Sequence, residues 1–168
     1  MRRASVVPFL LMVLLCIGCD HATKIAAVRL LDGSPPIELA RGIVRLELAY
    51  NPGAFLGLGA GLPVAFRALV FGGAIPAMVV AASFLFLRDR TLGAAARLSL
   101  GLLAGGGLAN GLDRALHGGL VTDFVSVGMG PLRTGIFNAA DVAVMAGVAL
   151  LLLSGTLRKD RDGEPAAG

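Results

Sequence analysis

Asp123 and Asp141 are the residues of this chain whose type and setting point most directly to chemistry. Asp141 is the only charged residue in the stretch 134–157, which is long enough to cross a bilayer. A carboxylate in such a stretch is costly and is therefore a candidate functional group. If the fold brings it close to Asp123, the two carboxyl groups can share one proton and activate a water molecule.

The composition indicates a membrane protein. The chain has 168 residues, of which 56% are hydrophobic and 15% are charged, with a mean hydropathy of +0.81. A soluble domain of this size needs a smaller fraction of apolar residues. Here the apolar residues also form long continuous segments, as in membrane-spanning helices. The net charge of +4 does not indicate nucleic-acid binding, because the basic residues flank those segments and the chain has no Trp to stack on bases.

Four apolar segments are predicted to span the membrane, so the expected fold class is a polytopic α-helical membrane protein. They cover approximately residues 4–22, 66–87, 91–112 and 134–157. A helix crosses the hydrocarbon core in about 20 residues. Basic residues at the amino terminus, in the turn 88–90 and in the polar tail 158–168 predict that both termini are cytoplasmic.

Two outer segments, 28–62 and 113–133, remain between the predicted spans. Residues 42–50 partly alternate apolar with charged side chains, which predicts a β-strand. Residues 120–127 are predicted to form a second short strand, and residues 54–62 a short interfacial helix. A small sheet is therefore expected to rest on the outer membrane face.

Polar side chains from separate helices are predicted to converge near the outer boundary. With a rise of about 1.5 Å per residue, Asp20, Asn110 and Asp141 each lie roughly 24 to 30 Å from the inner boundary of a core about 30 Å thick. Taken singly, each of them can instead simply end its helix at the headgroups. Taken together they predict a polar pocket, which also includes Asp113 and Asn138, and Arg114 follows Asn110 within about one turn.

Five short strings resemble those of the lipoprotein signal peptidases (signal peptidase II), in the same order along most of the chain. They are Asp20-His21-Ala22-Thr23-Lys24 for D-Q-x-T-K, Asn51-Pro52-Gly53-Ala54-Phe55 for N-x-G-A-A-F, the stretch 106–114 for G-G-A-x-G-N-x-x-D-R, Val121-Thr122-Asp123-Phe124 for V-V-D-F, and Phe137-Asn138-Ala139-Ala140-Asp141 for F-N-x-A-D. The departures are His21 for Gln, Ala109 for Gly, and an Asn51 string that is one residue short. Five strings in register are highly specific, and no departure removes an ionisable residue that the family's chemistry needs.

The resemblance implies an aspartic endopeptidase of the bacterial inner membrane. Such an enzyme removes the signal peptide from a prolipoprotein by cleaving before a cysteine that carries diacylglycerol. The implied fold is four transmembrane helices with a small extracytoplasmic sheet, the β-cradle, and the implied partners are the lipidated substrate and membrane lipid.

The positions that match the family's catalytic dyad are Asp123 and Asp141, and neither a metal nor another cofactor is expected. Residues expected to bind substrate or support the dyad are Asp20, Asn51, Asn110, Asp113, Arg114 and Asn138. The alternative for the charged members is a plain ion pair, Asp113 with Arg114 or Asp20 with Lys24.

Three other interpretations stay open from the sequence alone. A serine/lysine signal peptidase would have to use Ser126 and Lys24. A proton-coupled transporter or scaffold would use Asp141 as an ion site, although a transporter favours carboxylates near mid-membrane. The chain could also itself be a lipoprotein, because Ile17-Gly18-Cys19 follows a basic start and an apolar run.

Overall fold

The computed structural model describes residues 6–53, 61–70, 73, 75–88 and 92–162. The predicted interfacial helix at 54–62 falls mostly on residues 54–60, which lie outside these ranges. Within them the chain forms helices and strands in the order α1 (Val6–Leu31), β1 (Ile37–Leu39), β2 (Val44–Asn51), α2 (Val64–Leu69), α3 (Ile75–Arg88), α4 (Ala94–Leu116), β3 (Val121–Met129), β4 (Leu132–Arg133) and α5 (Ala139–Asp162).

Helix α4 lies at the centre of the helical part and packs against α1, α3 and α5. Its glycines permit this close packing. A Cβ added to Gly105 would lie 2.7 Å from the Cβ of Cys16 in α1, and one added to Gly106 would lie 2.6 Å from the carbonyl oxygen of Ala140 in α5. Small residues therefore bring the backbones of three helices close to one another at the level of the polar side chains described below.

The helices carry a large exposed apolar surface. Among the described residues, α1 is the one helix long and apolar enough to cross a membrane, and Pro76–Arg88 and Ala139–Ser154 are shorter apolar helices. On α1, Leu10, Leu11, Leu14 and Leu15 are all more than half exposed. Soluble proteins rarely expose contiguous apolar patches of this kind, so this surface is suited to lipid.

The helix bounds differ from the predicted spans in informative ways. Helix α1 continues to Leu31 instead of ending near residue 22, because Asp20, Lys24 and Ala27 are buried against the rest of the protein. The predicted span 66–87 corresponds to two helices, α2 and α3. Helix α4 runs from Ala94 to Leu116, slightly beyond the predicted end at 112.

The helix that corresponds to the fourth predicted span, 134–157, is shifted toward the carboxyl terminus by about five residues. Residues Thr134 to Asn138 are not helical, because the backbone of Phe137 forms hydrogen bonds with that of Val125 in β3. Helix α5 therefore starts at Ala139, and it continues through the first residues of the predicted polar tail to Asp162.

The sheet is antiparallel with the strand order β1-β2-β3-β4. The strands predicted at 42–50 and 120–127 are confirmed as β2 and β3. The flanking strands β1 and β4 contain three and two residues. Such short strands give no detectable alternation of apolar and polar side chains, so the sequence did not predict them.

A β-bulge in β2 decides which side chain faces Asp123. Leu46 lies opposite Val125, but Ala49 lies opposite Asp123, so β2 has one more residue than β3 between these pairs. Because side chains alternate along a strand, the extra residue places Asn51 instead of Tyr50 on the same face as Asp123. Tyr50 is exposed as a result.

Candidate active site

Strand β3 places Asp123 in the interior, where the residue is 1% exposed. Both of its oxygens accept hydrogen bonds from side-chain amides. Asn51 Nδ2 donates to Oδ2 at 2.8 Å, and Asn138 Nδ2 donates to Oδ1 at 2.7 Å. The Asn51 side chain is itself fixed, because its Oδ1 accepts the backbone N–H of Gly53 at 2.7 Å. Asp123 is thus held from β2 on one side and from the start of α5 on the other.

The first turn of α5 holds Asp141 by a reciprocal capping arrangement. Asn138 precedes the helix, and its Oδ1 accepts the backbone N–H of Asp141 at 3.0 Å. In return, Asp141 Oδ2 accepts the backbone N–H of Asn138 at 3.2 Å. This is the geometry of a capping box, with Asn and Asp in the two positions. Asn110 Nδ2 donates to the other oxygen, Asp141 Oδ1, at 2.9 Å.

Asn138 contacts both carboxyl groups. Its side-chain amide bonds to Asp123 and its backbone amide bonds to Asp141. The same Nδ2 also lies 3.1 Å from Asn110 Oδ1 and 3.4 Å from the carbonyl oxygen of Thr122. The structure therefore brings Asp123, Asp141, Asn110 and Asn138 into one buried cluster, to which Asn51 is joined from the sheet.

Lys24 lies beneath this cluster and was not predicted as a site residue. Its ammonium group is buried and contacts three acceptors: Asp20 Oδ2 at 2.7 Å, Asp113 Oδ2 at 3.0 Å and Asn110 Oδ1 at 3.1 Å. An ammonium group has three N–H donors, so each donor has a partner. The sequence did contain a signal for this residue, namely the four-residue spacing from Asp20 and its place in the first string.

The Lys24 contact also orients the Asn110 amide. Asn110 Oδ1 accepts from both Lys24 and Asn138. The oxygen must therefore face these donors, which leaves Nδ2 to donate to Asp141. A flipped amide would place Nδ2 against an ammonium group. Lys24 thus influences Asp141 through Asn110 without touching it.

Asp20 links α1 to the start of α5. Its Oδ2 pairs with Lys24, and its Oδ1 accepts the backbone N–H of Ala140 at 2.9 Å. The first N–H groups of a helix have no partner within the helix and favour a negative charge. Asp20 supplies both an acceptor and a charge there, one residue before Asp141.

Asp113 and Arg114 each hold a neighbouring segment of the chain. Asp113 Oδ2 accepts the backbone N–H of Thr122 at 2.7 Å, next to Asp123, and lies 3.0 Å from Lys24 Nζ, while Asp113 Oδ1 lies 2.9 Å from His117 Nδ1. Arg114 donates to the carbonyl oxygen of Gly53 at 2.7 Å and to that of Asn110 at 3.2 Å. All eight predicted site residues therefore belong to one connected network.

Burial raises the pKa of Asp123 to about 6. The amide donors of Asn51 and Asn138 and the charge of Lys24 oppose this shift, while the negative charge of Asp141 adds to it. Two neighbouring carboxyl groups of which one has a pKa close to neutrality can hold a single proton between them. Such a pair can act as general base and general acid in one reaction.

The serine and lysine of the first alternative do not share one site. Ser126 is buried beside Glu47 and Arg133, at 3.5 Å and 3.4 Å respectively. The Lys24 ammonium group is bonded to Asp20, Asp113 and Asn110. The structure therefore provides no support for a Ser126–Lys24 pair.

The model of one protein family, described as signal peptidase (SPase) II, matches residues 12–157. This match covers most of the chain and includes all eight predicted site residues. The chain belongs to the signal peptidase II family. The resemblance of the five strings is thereby confirmed.

Curated relatives agree with the family assignment. The chain is 34% identical over 147 residues to a lipoprotein signal peptidase of Moorella thermoacetica, an alignment that covers 86% of this chain and 89% of the relative. It is 34% identical over 152 residues to a lipoprotein signal peptidase of Gloeobacter violaceus, with coverage of 90% and 83%.

Two solved bacterial membrane enzymes share the fold of this signal peptidase II family member. One, determined by the in meso method at 2.3 Å resolution, superposes with a TM-score of 0.78 over 97% of this chain and 95% of that chain, at 21% identity. The other, at 1.9 Å resolution, superposes with a TM-score of 0.74 over 89% and 92%, at 22% identity. The helices with a small antiparallel sheet are therefore an architecture that this chain shares with these two enzymes.

Proposed function

We propose that this chain is an aspartic endopeptidase that removes signal peptides from diacylglyceryl-modified bacterial prolipoproteins, cleaving before the lipidated cysteine. The observation that carries the proposal is the position of Asn138, which bonds to both Asp123 and Asp141. Two buried carboxyl groups so held can share a proton and activate water. Membership of the signal peptidase II family supplies the substrate class.

The proposed reaction uses the carboxyl pair as a unit. The ionised carboxylate takes a proton from water while the water oxygen attacks the scissile carbonyl carbon. The protonated carboxyl donates its proton to the carbonyl oxygen, which gives a tetrahedral diol. As the C–N bond breaks, a proton passes to the leaving amine and the signal peptide departs with a new carboxylate. Because the pair titrates together, neither role is assigned to Asp123 or Asp141 alone.

The remaining residues keep the pair in place. Asn51, Asn110 and Asn138 aim amide donors at the two carboxyl groups. Asp20 and Asp113 fix the segments that carry the pair, because they bond to Ala140 and to Thr122. Arg114 holds the carbonyl oxygen of Gly53 and so anchors the segment that follows Asn51. We assign substrate contact to this segment.

We place the chain, as a single domain of residues 1–168, in the bacterial inner membrane. In this arrangement α1, α2 with α3, α4 and α5 provide four spans, both termini are cytoplasmic, and the sheet is a β-cradle on the periplasmic face. The site lies where the later part of α1, the end of α4 and the start of α5 meet β3. Successive spans cross the membrane in opposite directions, so the ends of α1 and α4 and the start of α5 all lie on the periplasmic side.

A reconstituted cleavage assay on a lipidated prolipoprotein tests the proposal. Asp123→Asn and Asp141→Asn should each lower the cleavage rate by about 10²–10⁴-fold or more, because general acid–base catalysis supplies that much. The matched control is Asp32→Asn, which removes the charge of an exposed carboxylate after α1. Substantial cleavage by either variant, with the protein still inserted in the membrane, would refute the dyad.

A further inference from the structure

A half-open cavity of about 250 Å³ lies at the end of the sheet away from Asp123. It is formed between the β1–β2 turn and the β3–β4 turn, and its lining residues are Glu38, Arg41, Gly42, Arg45, Met129, Gly130 and Arg133. Along β3 the cavity extends from the level of Ser126, which lies opposite Arg45, to Met129, so it is roughly 10 to 20 Å from Asp123 at about 3.3 Å per strand residue.

The cavity is positively charged. Three arginines and one glutamate line it, and the charge stays positive when Glu47, beside Arg45, is included. No carboxylate in the described part of the chain forms an ion pair with Arg133. Its guanidinium group donates to the neutral carbonyl oxygens of Gly42 at 2.8 Å and of Ile43 at 3.3 Å. A full positive charge is thereby fixed at the cavity wall.

Two further arginines, Arg41 and Arg45, line the cavity. Arg45 Nε is enclosed by protein and forms an ion pair with Glu47 Oε1 at 3.6 Å, which is too long for a hydrogen bond. Arg41 is exposed, and no described residue provides it with a polar partner. The exposed charge of Arg41 lies in the same cavity wall as the fixed charge of Arg133, and these two charges together point to an anionic ligand.

The backbone of the β1–β2 turn is held in an uncommon conformation. Ala40 and Arg41 have φ angles of +50° and +58°, in the left-handed region that residues other than glycine rarely adopt. Arg133 secures the turn through its bonds to Gly42 and Ile43. The angles at Ala40 and Arg41 are those of a two-residue type I′ hairpin turn, closed by a hydrogen bond from the Gly42 N–H to the Leu39 carbonyl oxygen at 3.1 Å, and the turn holds Arg41 beside the cavity.

Exposed apolar side chains flank the cavity on both turns. Met129 and Leu132, on either side of the β3–β4 turn, are 73% and 82% exposed, and Leu39 and Ile43, on either side of the β1–β2 turn, are also exposed. Arginine beside exposed apolar side chains is the composition of a lipid-facing surface, where the charge meets headgroups and the apolar groups meet acyl chains. A soluble anion alone would give no reason for the apolar rim.

We propose that this cavity binds the phosphodiester of an anionic glycerophospholipid, with Arg41 and Arg45 as its ligands and Met129 and Leu132 against the acyl chains. Guanidinium groups match phosphate oxygens in geometry and charge. The site is separate from the carboxyl pair, and the proposal holds whether or not the proposed cleavage reaction is correct.

Native mass spectrometry of the full chain from a neutral detergent tests the site. We expect dioctanoyl-phosphatidylglycerol to bind more tightly than dioctanoyl-phosphatidylcholine and than inorganic phosphate. Equal binding of the two lipids would overturn the proposal. Inorganic phosphate that binds as tightly as phosphatidylglycerol would assign the cavity to a free anion and would also overturn it.

Two substitutions locate the binding. Arg41→Asn, which suits the left-handed turn, and Arg45→Gln should each weaken phosphatidylglycerol binding roughly fivefold, and together roughly 25-fold. Arg29→Gln, at an exposed position on α1, is the matched control and should leave binding unchanged. Unaltered binding by Arg41→Asn, or equal loss in the control, would refute the site. If the double variant melts early in detergent, Arg41→Asn alone decides, because the Arg41 side chain is exposed.

Discussion

Asn138 Nδ2 donates to Asp123 Oδ1 across 2.7 Å and so joins the start of α5 to the middle strands of the sheet. The bond is buried at both ends, since Asn138 and Asp123 are each 1% exposed. The two residues come from different elements that the chain must bring together in three dimensions. The relative position of helix and sheet therefore sets the separation of the two carboxyl groups.

Two substitutions of Asn138 should distinguish its hydrogen bond to Asp123 from its capping of α5. Asn138→Ala removes both the amide donor to Asp123 and the cap of α5, so it should slow cleavage without eliminating it and cost about 1 kcal/mol of stability. Asn138→Asp keeps the capping oxygen but loses the donor, so it should retain more stability and still cleave slowly. Cleavage rates and melting temperatures of the two variants check this. An unchanged rate in Asn138→Ala would remove Asn138 from the site.

The pH dependence of cleavage should follow the shared proton. The proposed active form carries one proton on the pair, and burial raises the pKa of Asp123 to about 6. We therefore expect kcat/KM to fall as the pH rises from about 6, because the pair then loses this proton.

Asn51→Ala should move that decline to higher pH. The Asn51 amide favours the ionised form of Asp123, so its removal raises the pKa of Asp123 further. A pH–rate profile of the variant measures the shift, and Asp32→Asn should leave the profile where it is. A decline that moves to lower pH, or a uniform loss of rate with no movement, would contradict the assigned effect of Asn51.

Removal of the buried Lys24 ammonium group should strongly destabilise the protein. Lys24→Met leaves the Asp20 and Asp113 carboxylates buried without their partner, and breaking a buried pair in this way costs about 3–5 kcal/mol. The double variant Lys24→Met with Asp113→Asn should recover part of this loss. Thermal denaturation in detergent measures both, with the exposed Arg29→Gln as the control. A Lys24→Met protein that melts at the unchanged temperature would show that the network contributes little.

The sequence predicted which polar residues lie together better than it predicted the boundaries of the elements. Counting residues along separate helices placed Asp20, Asn110 and Asp141 at one depth, and the structure joins them in one network. Each helical residue adds the same rise, so the depth of a side chain in the membrane can be counted from the sequence. The start of α5 cannot be found in this way, because Phe137 is apolar in either state and only its pairing with Val125 keeps it extended.

Other features depend on contacts between distant parts of the chain. The bulge in β2 that brings Asn51 to Asp123 is set by pairing with β3, and alternation along β2 alone gives no sign of it. The role of Lys24 was also missed, since Asp20 and Lys24 at this spacing equally suit an exposed pair on a helix surface. Only the packing of α4 against α1 makes the pair buried and adds Asp113 and Asn110 to it.

The most direct test of the central claim is a single-turnover comparison of Asp123→Asn, Asp141→Asn and the double variant on one lipidated prolipoprotein. If the two carboxyl groups act as one unit, the double variant should be no slower than either single variant, because each substitution alone already destroys the pair. Losses that multiply, so that the double variant is slower by the product of the two single effects, would show that Asp123 and Asp141 act independently and would contradict a shared-proton dyad.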